Sequence, residues 1–195
     1  TTDVHSVTEG SEEVRRKLIS PEPLSKRTVE GDLGLFINKD TLIETVGKDK
    51  ITKELNIDND QLNQLIRNYQ SIPNENQRPL TELLAYHALS ISMKRHSGRF
   101  INVYGTSGMT KLAEGKDLTA VKYLIGTGGA LTRLKNHLLI IERYVREKDE
   151  MILKPLSTVK VLIDNQYIMA TLGVLSLKYP EASLKLLKAS LALNE

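Results

Sequence analysis

With 195 residues, 40% of them hydrophobic, and 27 Lys+Arg against 24 Asp+Glu, the chain can bury the core of one large domain or of two small lobes. A formal charge of +3 is too small to name nucleic acid or a membrane surface as partner, and no apolar run approaches the roughly twenty residues that cross a bilayer. The absence of cysteine excludes disulfides, a thiolate nucleophile and zinc–thiolate sites, and it suits a reducing, cytoplasmic compartment.

Thr1 to Val7, TTDVHSV, alternates β-branched and polar residues as a strand does, and it reads as a strand already under way in a fragment of a longer polypeptide. After a polar turn at Thr8–Ser11 and the extended segment around Pro21 and Pro23, Lys26 to Leu35 reads as a second strand ending in the turn Gly31-Asp32-Leu33-Gly34. Glu30 and Asp32, one residue apart, leave two readings open. They could hold a magnesium ion through waters or orient an attacking water, or they could cap the next helix.

From Thr41 to Tyr69 the pattern is helical, with Leu62, Leu65, Ile66 and Tyr69 on one apolar face. A polar loop with Pro73 and Pro79 leads to a stronger helix from Thr81, which buries Leu84, Ala88 and Ile91 and ends in Lys94-Arg95-His96-Ser97-Gly98. Those cations either complement the helix dipole or contact an anion or adenine. Arg99 to Tyr104 reads as a short strand, and Gly105 to Gly115 as a flexible connection.

Three local signals agree in Val121–Asn136, VKYLIGTGGALTRLKN: a short buried strand, a break at Gly126-Thr127-Gly128-Gly129, and a helix running to about Lys148. Leu131, Leu134, Leu138, Ile141 and Val145 would share one face of that helix. Glycines there let a ligand approach the backbone, and free N–H groups at a helix start favour a phosphate or a polar sugar. A plain βα turn needs the same residues, and neither a dinucleotide fingerprint nor a Walker ending is present. Val159–Ile163 gives another strand. Asp164 or Asn165 can cap a helix burying Ile168, Leu172 and Leu175, and Pro180 starts a helix burying Leu184, Leu187 and Leu191. His5, His87, His96 and His137 form no close pair at ligand spacing, so no protein-bound metal is expected. The order is α/β with an all-helical insertion, the strands at 1–7, 26–35, 118–125 and 159–163 sharing one sheet.

The stretches TTDVHS, KRTVEGDLGL, KRHSGR, GKDLTAVKYLIGTGGALTR and KVLIDNQYIMATLGVLS, in that order, resemble the carboxyl-terminal half of the MutL/GlmL-type proteins. These accompany adenosylcobalamin-dependent glutamate mutase and are unrelated to the mismatch-repair protein sharing the name. The resemblance implies a ribonuclease-H-like second lobe of an actin-like ATPase fold, with residues 1–37 and 99–195 forming the lobe and 38–98 a mainly helical inserted subdomain. It further implies ATP or ADP with Mg²⁺ in the intact protein.

By that resemblance Thr1, Thr2 and Asp3 look like the end of the second phosphate loop, with Asp3 and Asp32 the candidate catalytic carboxylates. Gly126, Thr127, Gly128, Gly129 and Ala130 look like the adenosine loop, with Thr132 and Arg133 near the nucleoside. Gly31, Asp32 and Gly34 look like the turn into the inserted subdomain, and Lys94, Arg95 and Ser97 fall where chaperone relatives flank adenine. The first phosphate loop lies outside this sequence, so the chain alone is expected not to hydrolyse ATP at a useful rate. The implied function is that of a chaperone or reactivating factor for a mutase. A small-molecule kinase of the same superfamily and a nucleotide-free adaptor are the alternatives.

Overall fold

The computed structural model describes residues 1–106 and 108–193. Strand β1 (Thr2–Val7) pairs antiparallel with β2 (Ser25–Glu30), Thr2 opposite Glu30 and Val7 opposite Ser25. Thr2, Val4 and Ser6 turn inward while Asp3, His5 and Val7 stay exposed, the alternation of a strand packed on one face. Helix α1 (Glu12–Arg15) sits in the connection and starts where the Ser11 hydroxyl accepts the Val14 N–H. The second strand stops at Glu30, short of the expected Leu35. Beyond Glu30 the chain bends at Gly31–Asp32, burying Leu33 completely and giving its carbonyl to the Thr2 hydroxyl at 2.7 Å.

Four helices follow: α2 (Lys39–Val46), α3 (Lys48–Leu55), α4 (Asn59–Arg67) and α5 (Arg78–His96). Local chemistry sets their ends. Asn56 takes the left-handed conformation that stops α3, Asp58 and Gln61 form a capping box on α4, and Pro79 lies in the first turn of α5. Leu84 and Ala88 of α5 are buried as expected, and Ile91 is partly so. The middle of the helix is buried on more than one face, because it packs against β1, β2, α2 and α3 as well as the later helices. One apolar core therefore runs from Leu42, Ile51 and Leu62 through Leu80 and Leu84 to Leu118, Ile141 and Ile163.

The expected flexible connection at 105–115 is instead a strand. β3 (Arg99–Gly105) and β4 (Gly108–Glu114) pair antiparallel as a hairpin, Gly105 opposite Gly108; Ser107 lies outside the described residues. Gly108, at φ +103°, permits the reversal. Glycine spacing suggested looseness where it served a turn. Val14, Ala113 and Leu153, joined by Leu18 and Phe100, make a second small core between α1 and the hairpin.

Strand β5 (Tyr123–Gly126) pairs in parallel with β6 (Lys160–Ile163). The single helix expected after the glycines is two, α6 (Gly129–Arg133) and α7 (His137–Arg146), because Leu134 is extended at ψ 141°. That break resets the phase. Ile140, Ile141, Tyr144 and Val145 are buried on α7, and Leu138 is exposed. Helices α8 (Met169–Leu175) and α9 (Pro180–Ser190) complete the described chain; Leu172 and Leu191 are buried, whereas Leu175 and Leu184 are exposed, contrary to expectation.

The strands do not share one sheet. β1–β2, β3–β4 and β5–β6 are separate two-stranded ladders. Each of β1 and β5 spends one edge on its partner, and a cleft of about 430 Å³ lies between their other edges. No helix is long and apolar enough among the described residues to cross a membrane.

Candidate functional site

Two sets of hydrogen bonds fix how β1 and β5 stand to each other. After β1, Ser11 donates to the Asp117 carboxylate from its backbone N–H at 2.6 Å and from its hydroxyl at 3.1 Å. Lys116, 2% exposed, donates its ammonium protons to the carbonyls of Thr8 at 2.7 Å, Pro23 at 2.5 Å and Leu24 at 2.9 Å. The carboxyl end of β1 is thus pinned to residues 116–119, where the β5 segment begins. Val4–Thr8 and Ala120–Leu124 line one cleft.

Past the end of β5 the glycine turn is bare. A Cβ at Gly128 or Gly129 would meet nothing within 4 Å, and Gly128 holds φ +94°, a conformation that favours glycine. Gly126 differs. Its Cβ would stand 2.6 Å from the Ile141 δ-methyl and 3.0 Å from that of Ile163, so its bareness serves packing. Ala130 is half-buried against the core, and Arg133 is exposed. Thr132 bonds back to the Gly128 carbonyl at 3.0 Å, closing the short helix rather than facing outward.

The Thr127 hydroxyl donates at 2.8 Å to Asp164, at the end of β6. Asp164 is fully buried and also accepts from the Ser190 hydroxyl at 2.5 Å and from the N–H groups of Met169 at 2.9 Å and Ile168 at 3.2 Å. These donors hold its carboxyl below the ordinary aspartate range although burial alone works the other way. As the sequence suggested, Asp164 serves the start of α8; its second task, holding the glycine turn against α9, left no trace in the spacing.

Thr2 anchors the bend before α2, and Thr1 lies close beside it: a Cβ at Gly34 would come within 3.1 Å of the Thr1 nitrogen. Asp3 is bound by Arg27, whose Nε donates at 2.9 Å and Nη2 at 2.5 Å. Asp32 is bound by Arg95, whose Nη1 donates at 2.9 and 3.0 Å and also reaches Glu30 at 2.5 Å. Both candidate carboxylates are therefore already paired with guanidinium groups, and Arg95 links α5 to the same end of β2. Lys94 is exposed beside it.

Ser97 goes elsewhere. It bridges to Lys116, which precedes β5, and among the described residues its buried hydroxyl finds no hydrogen-bond partner. Among the described residues no three His, Cys, Asp or Glu side chains are grouped to hold a metal ion. A magnesium ion brought by a nucleotide would be met here through water and phosphate oxygens. The arrangement thus suits close backbone approach by a planar or polar ligand at Gly128–Gly129.

Sequence reasoning missed Lys116, because a lysine between Gly115 and Asp117 gives no sign of burial. It also missed a network joining α3, α5 and α7. Glu54 accepts from His87 at 3.1 Å and from Arg143 at 2.6 Å, and Arg143 lies 3.6 Å over the Tyr86 ring, whose hydroxyl donates to Glu147. Burial pushes the His87 pKa down even beside Glu54.

The family model described as MutL protein matches residues 1–191. The curated Protein MutL of Clostridium tetanomorphum is 33% identical over 197 aligned residues, covering 96% of this chain and 42% of that protein. The chain thus spans less than half the length of this relative. No solved structure matches. A family match over nearly the whole chain, joined to a relative at this identity, settles its place: the chain belongs to the MutL family associated with glutamate mutase, not to the mismatch-repair proteins of the same name.

Proposed function

We propose that this chain is the nucleoside-binding half of an ATP-binding companion of an adenosylcobalamin-dependent, glutamate-mutase-type enzyme, acting in the intact protein as a chaperone or reactivating factor. The lobe is read as a ribonuclease-H-like half of an actin-like ATPase, into which the helices of 38–98 are inserted. The observation that carries the nucleotide reading is the open turn at Gly128–Gly129, where a Cβ would meet nothing within 4 Å. Backbone N–H groups of the turn and the Arg133 guanidinium would meet the nucleoside and its phosphates, and Mg²⁺ would enter with the nucleotide. With Asp3 and Asp32 paired to arginines, the chain alone binds nucleotide without turning it over; the missing stabilisation of the transferred phosphate is the task of the rest of the intact protein. Closure on ATP and release after hydrolysis would then change the grip on the mutase.

Calorimetric titration of ADP into the chain and into Gly129→Leu tests the site. Gly129 has room for a side chain and no left-handed φ, so the variant keeps the fold while filling the space a ligand would use. The expected result is an affinity loss of about tenfold, roughly 1.4 kcal/mol, with an unchanged melting temperature. Equal affinity in the two proteins removes the turn from the site.

A further inference from the structure

The β3–β4 hairpin stands on a bonded base and carries a free arm. At the base, Phe100 N–H donates to the Met151 carbonyl at 2.7 Å on one edge. On the other edge, Ala113 N–H donates to the Lys17 carbonyl at 2.8 Å, and the Ala113 carbonyl accepts from Ile19 at 2.9 Å. Those bonds fix the parity of the ladder. Phe100 and Ala113 stand opposite each other with their peptide groups turned outward, so the next alternate pairs, Asn102–Lys111 and Tyr104–Met109, turn theirs outward as well. Among the described residues no backbone hydrogen bond from outside the hairpin meets those four, and Asn102 to Thr106 and Gly108 to Lys111 are all exposed. Tyr104 and Met109, 78% and 60% exposed, lie side by side on the face that carries Phe100 into the small second core. A lone two-stranded arm is marginal in water, and this one leaves apolar side chains uncovered at its end.

We infer that the arm is a contact between two copies of this chain, with β3 pairing antiparallel to β3 of the second copy about a two-fold axis at Val103. The register follows from the parity. Asn102 stands opposite Tyr104 of the second copy, and each such pair exchanges main-chain bonds in both directions at the usual strand spacing of about 4.8 Å. A two-fold contact needs a surface that complements itself, and the outward residues of this edge sit one on each side of Val103. Charge selects β3 over β4. In a chain with 26% charged residues none lies from Phe100 to Thr106, so the axis meets no like charge. The β4 edge carries Lys111, the kind of residue that blocks edge pairing. The product is one four-stranded sheet with the two β3 strands at its centre, in which the Tyr104 rings become diagonal neighbours on one face. The contact is small, so the dimer is weak and depends on concentration. The inference stands on the hairpin alone and is independent of nucleotide binding.

Sedimentation velocity over a concentration series of the chain, with residue-resolved hydrogen exchange at its two ends, is the test. The average mass should rise from that of one chain toward that of two. Exchange at Asn102 and Tyr104 should slow by about tenfold over the series while Met109 and Lys111 stay unchanged. Asn102→Pro removes an outward N–H without breaking a bond of the hairpin, and Tyr104→Lys places a charge on the edge. Each should keep its circular dichroism spectrum and weaken self-association by about tenfold or more. A chain monomeric at every concentration, a dimer that survives Asn102→Pro, or protection at Met109 and Lys111 in place of Asn102 and Tyr104 overturns the inference.

Discussion

His96 shows how one buried side chain makes the fold sensitive to acid. It is fully buried, with Nε2 2.8 Å from the Ser6 hydroxyl and Nδ1 2.5 Å from the Thr28 hydroxyl, and it joins α5 to both strands of the first ladder. Burial, then the nearby Lys26 and Lys116, push its pKa from 6.5 down to about 4. Above pH 6.5 the ring is neutral in both states; between about 6.5 and 4 the unfolded chain binds a proton that the folded chain refuses. Stability therefore falls on acidification through that window, by up to ~1.4 kcal/mol per pH unit for this group. His87 adds to the same trend. Urea unfolding at pH 7 and pH 5 should show a smaller acid loss in His96→Gln than in the wild type, and equal losses would remove His96 as a cause. Neither histidine was legible as a core residue from sequence, since the partners of His96 lie 68 and 90 residues away and that of His87 lies 33 residues away.

At the scale of elements, what was legible was periodic and what was not was relational. The strand at Thr2–Val7, the helix ending in the Lys94–His96 cluster, and the strand and turn at Tyr123–Gly129 follow from alternation, spacing and glycine. The break at Leu134 did not, because apolar residues at Leu131, Leu134 and Leu138 fit an unbroken helix equally well; Asn136, held by Glu82 of α5 at 2.9 Å, shows the tertiary contact beside the break. Of the hairpin, β3 was legible at Arg99–Tyr104, whereas β4 was hidden because the glycines from Gly105 to Gly115 read as a loose connection. Lys116 is the element-scale tie, one ammonium holding the end of β1, the loop at Pro23 and the start of the β5 segment. Lys116→Met keeps the apolar stem and leaves three carbonyls without that donor. A loss of about 2 kcal/mol is expected after crediting the relieved desolvation of the charge. A urea midpoint equal to that of the wild type would show that the tie contributes nothing net.

For the whole molecule, one core carries the helical block and the strands together, so helices α2–α5 are coupled to the rest of the chain through α5 and through the Glu54, His87 and Arg143 contacts. A change at the glycine turn can reach that block through α6 and α7, which pack on α5. The sequence carried the family and the main elements, whereas the separation of β1–β2 from β5–β6 depends on which edges find partners. The account rests on Gly126–Arg133 and Thr1–Asp3 forming one nucleoside-facing edge. A ¹⁵N-resolved titration of ADP and Mg²⁺ into the chain tests this most directly. The account predicts saturable shifts concentrated at Gly128, Gly129, Arg133 and Thr2–Asp3, with Ser97 and Lys116 at the far end still; shifts absent from the turn, or centred on Ser97 and Lys116, would contradict it.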